Sequence, residues 1–335
     1  MTRFSPLKLR NNLELSNRIV IPPMASTTAD LKGNVTEATL SHYSRLSESQ
    51  AAMVMVEYTY VHESGKSEEQ QLGISSHEQI MGLSLISRSL HQRGAIAGIQ
   101  LTHSGGKTES IFTGGVLQSP SGIIVPVKDK ILETPAEMNL NDIQNWKKWF
   151  SAAVDRAVKA KFDLVELHAA HGYGLNQWLS PITNHRKDSY GGNLENNSRL
   201  LLEIVSEVRN LYPDLLISVR MPGQDFLEGG LSNQDCLFIA QALEALGVDM
   251  INISSGIGGW KRPDSRRGEG YLVEEAAFIQ AKVSIPVIGV GGIESGTYID
   301  QLLATQKISL AAVGRAILNN PKQWGETQLR SHCYV

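Results

Sequence analysis

Cysteine is nearly absent from this chain of 335 residues: only Cys236 and Cys333 occur. Two thiols so far apart suggest neither a disulfide framework nor an iron–sulfur cluster, and a reducing, cytoplasmic compartment is the simplest expectation. Long apolar runs are missing as well. No stretch approaches the roughly 20 residues that span a bilayer, and the opening MTRFSPLKLRNNLEL has no signal-like apolar core. Export and membrane insertion are therefore not expected. An excess of charge of either sign is missing: a net charge of -3 and a pI near 6.3 leave no global field to gather phosphate backbones, so nucleic acid is not favoured as a partner. Low-complexity tracts and Pro/Gly/Ser linkers are lacking too, which points to one domain over 1–335.

What the chain does have is rhythm. Short runs rich in Val and Ile recur: NRIVIPPM (17–24), AMVMVEY (52–58), IAGIQL (96–101), DLVELH (163–168), LLISVR (215–220), DMINIS (249–254), IPVIGV (285–290) and SLAAVG (309–314). Each is followed by a polar or glycine-bearing loop and a segment of helical period, the signature of βα units. Near-continuous apolar character implies strands buried on both faces. Eight such units favour an α/β fold of the closed (β/α)₈ TIM-barrel kind over an open sheet. Helix starts are read at Ser75 with Glu78, Asn141 with Gln144, and Ser232 with Asp235, each a capping oxygen three residues before a polar side chain. Gly94 and Gly247 stand where a helix needs a left-handed end. LKLRNNLEL reads as a small N-terminal hairpin that plugs one end of the barrel. Long connections follow the third strand (102–139) and the fourth (169–194), on the side where barrels build active sites.

Polar residues collect at the C-terminal ends of these strands: Pro23-Met24-Ala25-Ser26, Glu57-Tyr58-Thr59, Gln100 with His103, Glu166 with His168 and His171, Arg220, Ser254-Ser255-Gly256, Gly291-Gly292 and Gly314-Arg315. The glycine pairs after the seventh and eighth strands are either tight turns or backbone open to a phosphate, with Arg315 adding a fork of donors. Arg220 must begin among apolar neighbours, so it needs an anionic partner. That partner is either Glu166 on the next strand or a ligand that becomes negative. In HAAHGYG (168–174), His168 and His171 admit three readings: packing, a metal site, or two ring donors aimed at one oxygen with Tyr173 supplying a proton. No HExxH pattern is present and no thiol lies near, so no metal is expected.

The segment HAAHGYGLNQWLSPITNHRKDSYGGNLEN (168–196) resembles the most distinctive motif of the Old Yellow Enzyme family of FMN-dependent ene-reductases, in its bacterial branch with paired histidines. NRIVIPPM, GIQLTHSGGK, SVR, SSG, IPVIGVGGI and VGRAIL follow the family's order, so the resemblance runs nearly end to end. It implies a barrel carrying FMN at its C-terminal mouth and NAD(P)H as reductant. By the same resemblance Pro23, Met24 and Ala25 run along the ring system, Tyr58 lies near its edge, and Gln100 and Arg220 bond its pyrimidine. Gly291, Gly292, Gly314 and Arg315 hold the phosphate. His168 and His171 bind the oxygen of an α,β-unsaturated carbonyl substrate, with Tyr173 as proton donor and ping-pong turnover. A homo-oligomer is implied as well. Alternatives are another FMN-dependent barrel dehydrogenase or oxidase, or a flavin-free phosphate-binding isomerase.

Departures from the family pattern cluster on one wall. Ala25 stands where the paired-histidine branch often has cysteine, and Thr27 stands where a tyrosine often reaches substrate. Tyr58 replaces a small residue, so the substrate-binding phenol is expected to have changed walls. Gly106 takes the place of an arginine, with Lys107 retained, and Asn197 that of another, with Arg199 nearby. GWKRPDSRRGEGY (259–271) carries Lys261, Arg262, Arg266 and Arg267, either as a solvated loop or as a site for an anion such as the NADPH 2′-phosphate.

Overall fold

A computed structural model describes residues 1–127, 131–259, 263 and 265–329. Eight strands close into a parallel barrel in sequential order: β1 (Ile19–Ile21), β2 (Met53–Tyr60), β3 (Ile96–Thr102), β4 (Leu164–His168), β5 (Leu216–Pro222), β6 (Met250–Ser254), β7 (Val287–Gly289) and β8 (Leu310–Ala312), with β8 paired back to β1. Every strand residue in β1 to β8 is buried, which explains runs that lack the alternation of a one-sided sheet.

Two apolar layers divide these side chains. One set, including Val20, Met53, Met55, Leu164, Met250 and Leu310, fills the barrel interior. The hairpin Leu7–Lys8/Glu14–Leu15 packs Leu7, Leu9, Leu13 and Leu15 onto that set. The other set, including Val54, Val56, Ile99, Val165 and Val219, faces the surrounding helices.

The helices that follow the first six strands are α1 (Glu37–Ser47), α2 (Gln79–His91), α3 (Leu140–Lys159), the short α4 (Gly174–Leu179) with α5 (Leu194–Leu211), α6 (Asn233–Ala245) and α7 (Val273–Gln280). Then come α8 (Gly296–Ala304), α9 (Arg315–Asn319) and α10 (Pro321–Gln328). Ser232 and Asp235 form the capping box expected at α6. At α3 the box closes two residues upstream of the expected pair: Asn139 accepts from Asn141 and Asp142 backbone N–H groups, and Asp142 reaches back. NLNDIQ holds two overlapping boxes, and the helix extends to the earlier competent cap. α2 begins at Gln79 rather than after Ser75, with the Gln79 side chain accepting from Ser76 N–H. Gly94 and Gly247 adopt φ of 76° and 80°, the left-handed ends expected there. Among the described residues no helix is long and apolar enough to cross a membrane.

One irregularity bears on the site. Along β2 and β3, Val56 pairs with Ile99 and Thr59 with Leu101, so Glu57 and Tyr58 together oppose Gln100. This β-bulge lets two consecutive residues serve opposite sides, Tyr58 lining the barrel mouth and Glu57 reaching Tyr43 of α1.

Candidate functional site

A cavity of about 780 Å³ opens at the C-terminal ends of the strands. From β1 and its loop come Pro23, Met24 and Ala25, and from β2 and β3 come Tyr58 and Gln100. β4 and the turn after it supply His168, His171 and Tyr173; β5 supplies Arg220; Gly292, Gly314 and Arg315 close the far side. Two residues expected there lie elsewhere. Thr27 is solvent-exposed with φ 49°, and its hydroxyl donates to the Ser26 carbonyl instead of reaching the cavity. Gly291, at φ 126°, turns its carbonyl to the N–H groups of Gly270 and Tyr271, and a Cβ there would meet Leu272 N at 2.8 Å. Its missing side chain makes room for that turn rather than lining the cavity.

The histidine turn is held by its backbone. His171 and Gly172 both have positive φ, at 61° and 76°. His171 N–H donates to the Ser255 carbonyl, Gly172 N–H to Asn176 Oδ1, and Gly174 N–H to the His103 carbonyl. The His168 and His171 rings lie 5.0 Å apart at 79°, and Tyr173 sits 4.9 Å from His168 and 5.5 Å from Tyr58. Burial, then the Arg220 charge, pushes both histidines well below the usual imidazole range, so both rings are neutral donor–acceptor groups. Burial and the Glu68 carboxylate push the Tyr173 phenol up to about 12.

Arg220 and Glu166 occupy the floor. Glu166 is fully buried and accepts from Gln100 at 2.8 Å, Ser218 at 2.9 Å and Asn252 at 3.0 Å. Its charge acts on Arg220 through space and opposes the lowering of that guanidinium by burial. Arg220 Nη2 donates to Ser254 Oγ at 3.4 Å, and Ser254 Oγ lies 2.6 Å from His171 Nε2. Arg220 Nε and His168 Nδ1, both on residues that line the cavity, are buried with no protein partner.

Several polar residues of the mouth are structural. His103 bonds Ser64 Oγ and packs 4.1 Å from the Trp146 ring; burial drives it to about 3. Glu57 accepts from Ser26 N–H and Oγ and from Tyr43 Oη, bracing the loop after β1. Gly106 has no room for the expected arginine, since a Cβ would lie 2.9 Å from Pro135 Cγ. Asn197 is buried under Leu179, whose carbonyl it bonds at 3.4 Å. In the basic loop Arg266 is committed to Glu275 at 2.6 and 2.9 Å, and so is not available to an anion. Lys261 and Arg262 lie outside the described residues. Cys236 is buried in α6. Ser254 and Ser255 line the cavity, as do Glu68 and Tyr271. The serines stood at a readable strand end; Glu68 and Tyr271 come from loops without a motif.

Residues 3–328 match the NADH:flavin oxidoreductase / NADH oxidase family. The chain belongs to it. Relatives are NADPH dehydrogenases from Clostridium acetobutylicum, 35% identical over 312 residues (92% of this chain, 90% of that one), and from Geobacillus thermodenitrificans, 37% identical over 319 residues (95% and 91%). Among solved structures, the old yellow enzyme homologue from Zymomonas mobilis superposes with a TM-score of 0.83 at 22% identity, covering 96% of this chain and 91% of that one. 2-Naphthoyl-CoA reductase superposes with a TM-score of 0.90 at 22% identity; this chain spans 52% of that longer protein. This Old Yellow Enzyme family member is thus an FMN-dependent oxidoreductase.

The residues present fit that cofactor. Arg220 Nε and Gln100 offer donors to a polar ring edge, while Pro22, Met24 and Gly314 crowd so closely that a Cβ on Gly314 would stand 3.2 Å from Met24 Sδ. Arg315, exposed on the cavity rim beside Gly292, supplies a cation for a phosphate.

Proposed function

We propose that the protein reduces the activated C=C bond of α,β-unsaturated carbonyl compounds with NADPH, the two substrates using one site in turn. The observation that carries this reading is the convergence of two neutral histidine rings and the Tyr173 phenol in the cavity that Arg220 also lines. The NADPH dehydrogenases among its relatives support the choice of reductant. When bound, FMN would supply the redox chemistry, serving as hydride acceptor toward the nicotinamide and hydride donor toward the substrate β-carbon.

The chain's own residues do the rest. Gly292, Gly314 and Arg315 hold the phosphate, with Gly291 shaping the turn behind them; Arg220 and Gln100 hold the pyrimidine edge; Pro23, Met24, Ala25 and Tyr58 flank the ring. Ser254 accepts from Arg220 and donates to His171 Nε2, which leaves the proton of that neutral ring on Nδ1, facing a substrate oxygen. The unpartnered His168 Nδ1 is the second donor. Together they polarise the carbonyl and make its β-carbon electrophilic. Tyr173, protonated at neutral pH, gives its Oη proton to the α-carbon. Lys107 Nζ, 4.5 Å from the Tyr173 ring centroid and bonded to the His171 carbonyl, steadies the phenolate left behind.

The test is optical: anaerobic NADPH should bleach the flavin-loaded enzyme, and cyclohexenone should restore the colour. His171→Ala keeps the bleaching and loses the recovery. Reduced wild-type enzyme that no enone reoxidises overturns the proposal.

A further inference from the structure

The cavity is not evenly charged. Arg315 stands at one end and Arg220 on the floor, but the corner where Tyr58 and Tyr173 meet is faced by a carboxylate, Glu68. Nothing in the reduction described above uses it. Its placement is fixed by a tight clasp: Gln71, 1% exposed, takes Ser67 N–H on Oε1 at 2.7 Å and donates from Nε2 to the Tyr58 carbonyl at 2.9 Å. Gln71 N–H closes the turn onto the Glu68 carbonyl. Just before the turn, Lys66 Nζ donates to the Leu31 carbonyl at 2.6 Å, and the Lys66 carbonyl receives Thr108 Oγ1 at 3.0 Å. The turn that presents Glu68 is thus tied to β2 beneath it and to the loop after β3 beside it.

Glu68 takes part in none of the ion pairs formed by the described residues. Lys107 lies over the ring of Tyr173 and is tied to the His171 carbonyl. Both phenols feel the Glu68 charge, which raises them further than burial alone. A half-buried carboxylate beside two aromatic rings is an acceptor for a donor-bearing or cationic group and a barrier to an anion. The departures at Ala25 and Tyr58 have the same sense: the first leaves one wall small, and the second brings a phenol up to Glu68.

We infer that Glu68 is a specificity-determining residue, and that the enzyme prefers carbonyl substrates carrying a protonated amine on the side that meets Tyr58 and Tyr173 over those carrying a carboxylate there. This rests on the carbonyl-reducing reading of the site. The test is calorimetric titration of the flavin-loaded enzyme with three saturated, non-reducible ketones of matched shape: 4-methylcyclohexanone as reference, 4-(aminomethyl)cyclohexanone and 4-oxocyclohexanecarboxylate. Wild-type enzyme binds the ammonium ketone more tightly than the carboxylate by on the order of tenfold to a hundredfold. Glu68→Gln, which keeps the shape and removes the charge, narrows the ratio to about threefold or less. Glu69→Gln, in the exposed neighbour that does not line the cavity, keeps it. In wild-type enzyme alone the preference also shrinks as salt rises to about 0.5 M, a measurement that stands even if a variant folds poorly. Equal affinities in wild type, or a preference that survives Glu68→Gln, overturns the inference while leaving carbonyl reduction intact. Failure of every ketone to bind, together with failure of enones to reoxidise the enzyme, overturns both.

Discussion

Replacing Glu166 by glutamine removes the charge that faces Arg220 while keeping nearly the same volume. Glu166 is fully buried and Arg220 is 7% exposed, so neither is rescued by solvent. The two make no ion-pair contact, so losing the through-space compensation of Arg220 costs less than the roughly 3–5 kcal/mol of a broken buried pair, about 1–3 kcal/mol. Glutamine also turns one acceptor oxygen into a donor, against either Gln100 or the Ser218 and Asn252 side. With an unfolding entropy of roughly 2 cal/mol/K per residue, 335 residues shift by about 1.4 °C per kcal/mol, so Tm falls by about 1–4 °C. The double variant Glu166→Gln/Arg220→Met deletes both charges and recovers more than half of that loss. The assay is a thermal melt of the four flavin-loaded proteins of the cycle. An unchanged Tm in Glu166→Gln, or strictly additive losses in the double variant, refutes the compensation argument.

Tyr173→Phe removes the proton donor and lowers enone turnover by about 10²–10⁴-fold while stopped-flow reduction by NADPH persists; equal losses in both half-reactions contradict the role. With the phenol pushed up to about 12, wild-type reoxidation stays level from neutral pH to about pH 10 and declines only beyond, as stopped-flow traces against pH will show. Burial holds His103 neutral down to about 3, below its unfolded value near 6.5, so its contribution to stability is complete above pH 6.5 and drains away as pH falls toward 3. Between pH 6.5 and 5 the unfolding free energy of His103→Phe should therefore depend on pH less steeply than wild type by about 1.1 kcal/mol per pH unit on average, and identical slopes in denaturant titrations would dispose of the idea. Gly172→Ala forces a Cβ into a left-handed residue and to 2.6 Å from the Ile257 carbonyl, a cost of about 1–3 kcal/mol in chemical melts, with His171 displaced and enone KM raised.

The barrel was legible because double-sided burial writes strands as apolar runs that need no partner to be recognised, and eight of them recur between helical segments. The motif residues His168, His171 and Tyr173 were legible because one short turn carries them all. What escaped depends on long-range packing. The position of Thr27 outside the cavity follows from a left-handed backbone conformation that threonine does not advertise. Gly291 was assigned from its neighbourhood to a phosphate, yet its carbonyl serves a turn some twenty residues upstream. Arg266 looked like a free basic charge in a basic loop; its partner Glu275 lies on α7, and nothing in the spacing signals that their side chains meet. Glu68 reaches the cavity only because Gln71 folds the segment back over Tyr58.

The extra residue in β2 acts as a phase shift. Side chains along a strand alternate like a wave of two-residue period, and in β2 the odd positions Met53 and Met55 point into the barrel while the even positions Val54 and Val56 point to the helices. The bulge advances that wave by half a period, so an odd residue, Glu57, meets Tyr43 of α1 while an even one, Tyr58, enters the cavity. A single strand thereby supplies a charged brace and an aromatic wall in adjacent residues. Length, and not only identity, is under constraint here: the same residues paired without the bulge would keep the rhythm unbroken and exchange wall for brace.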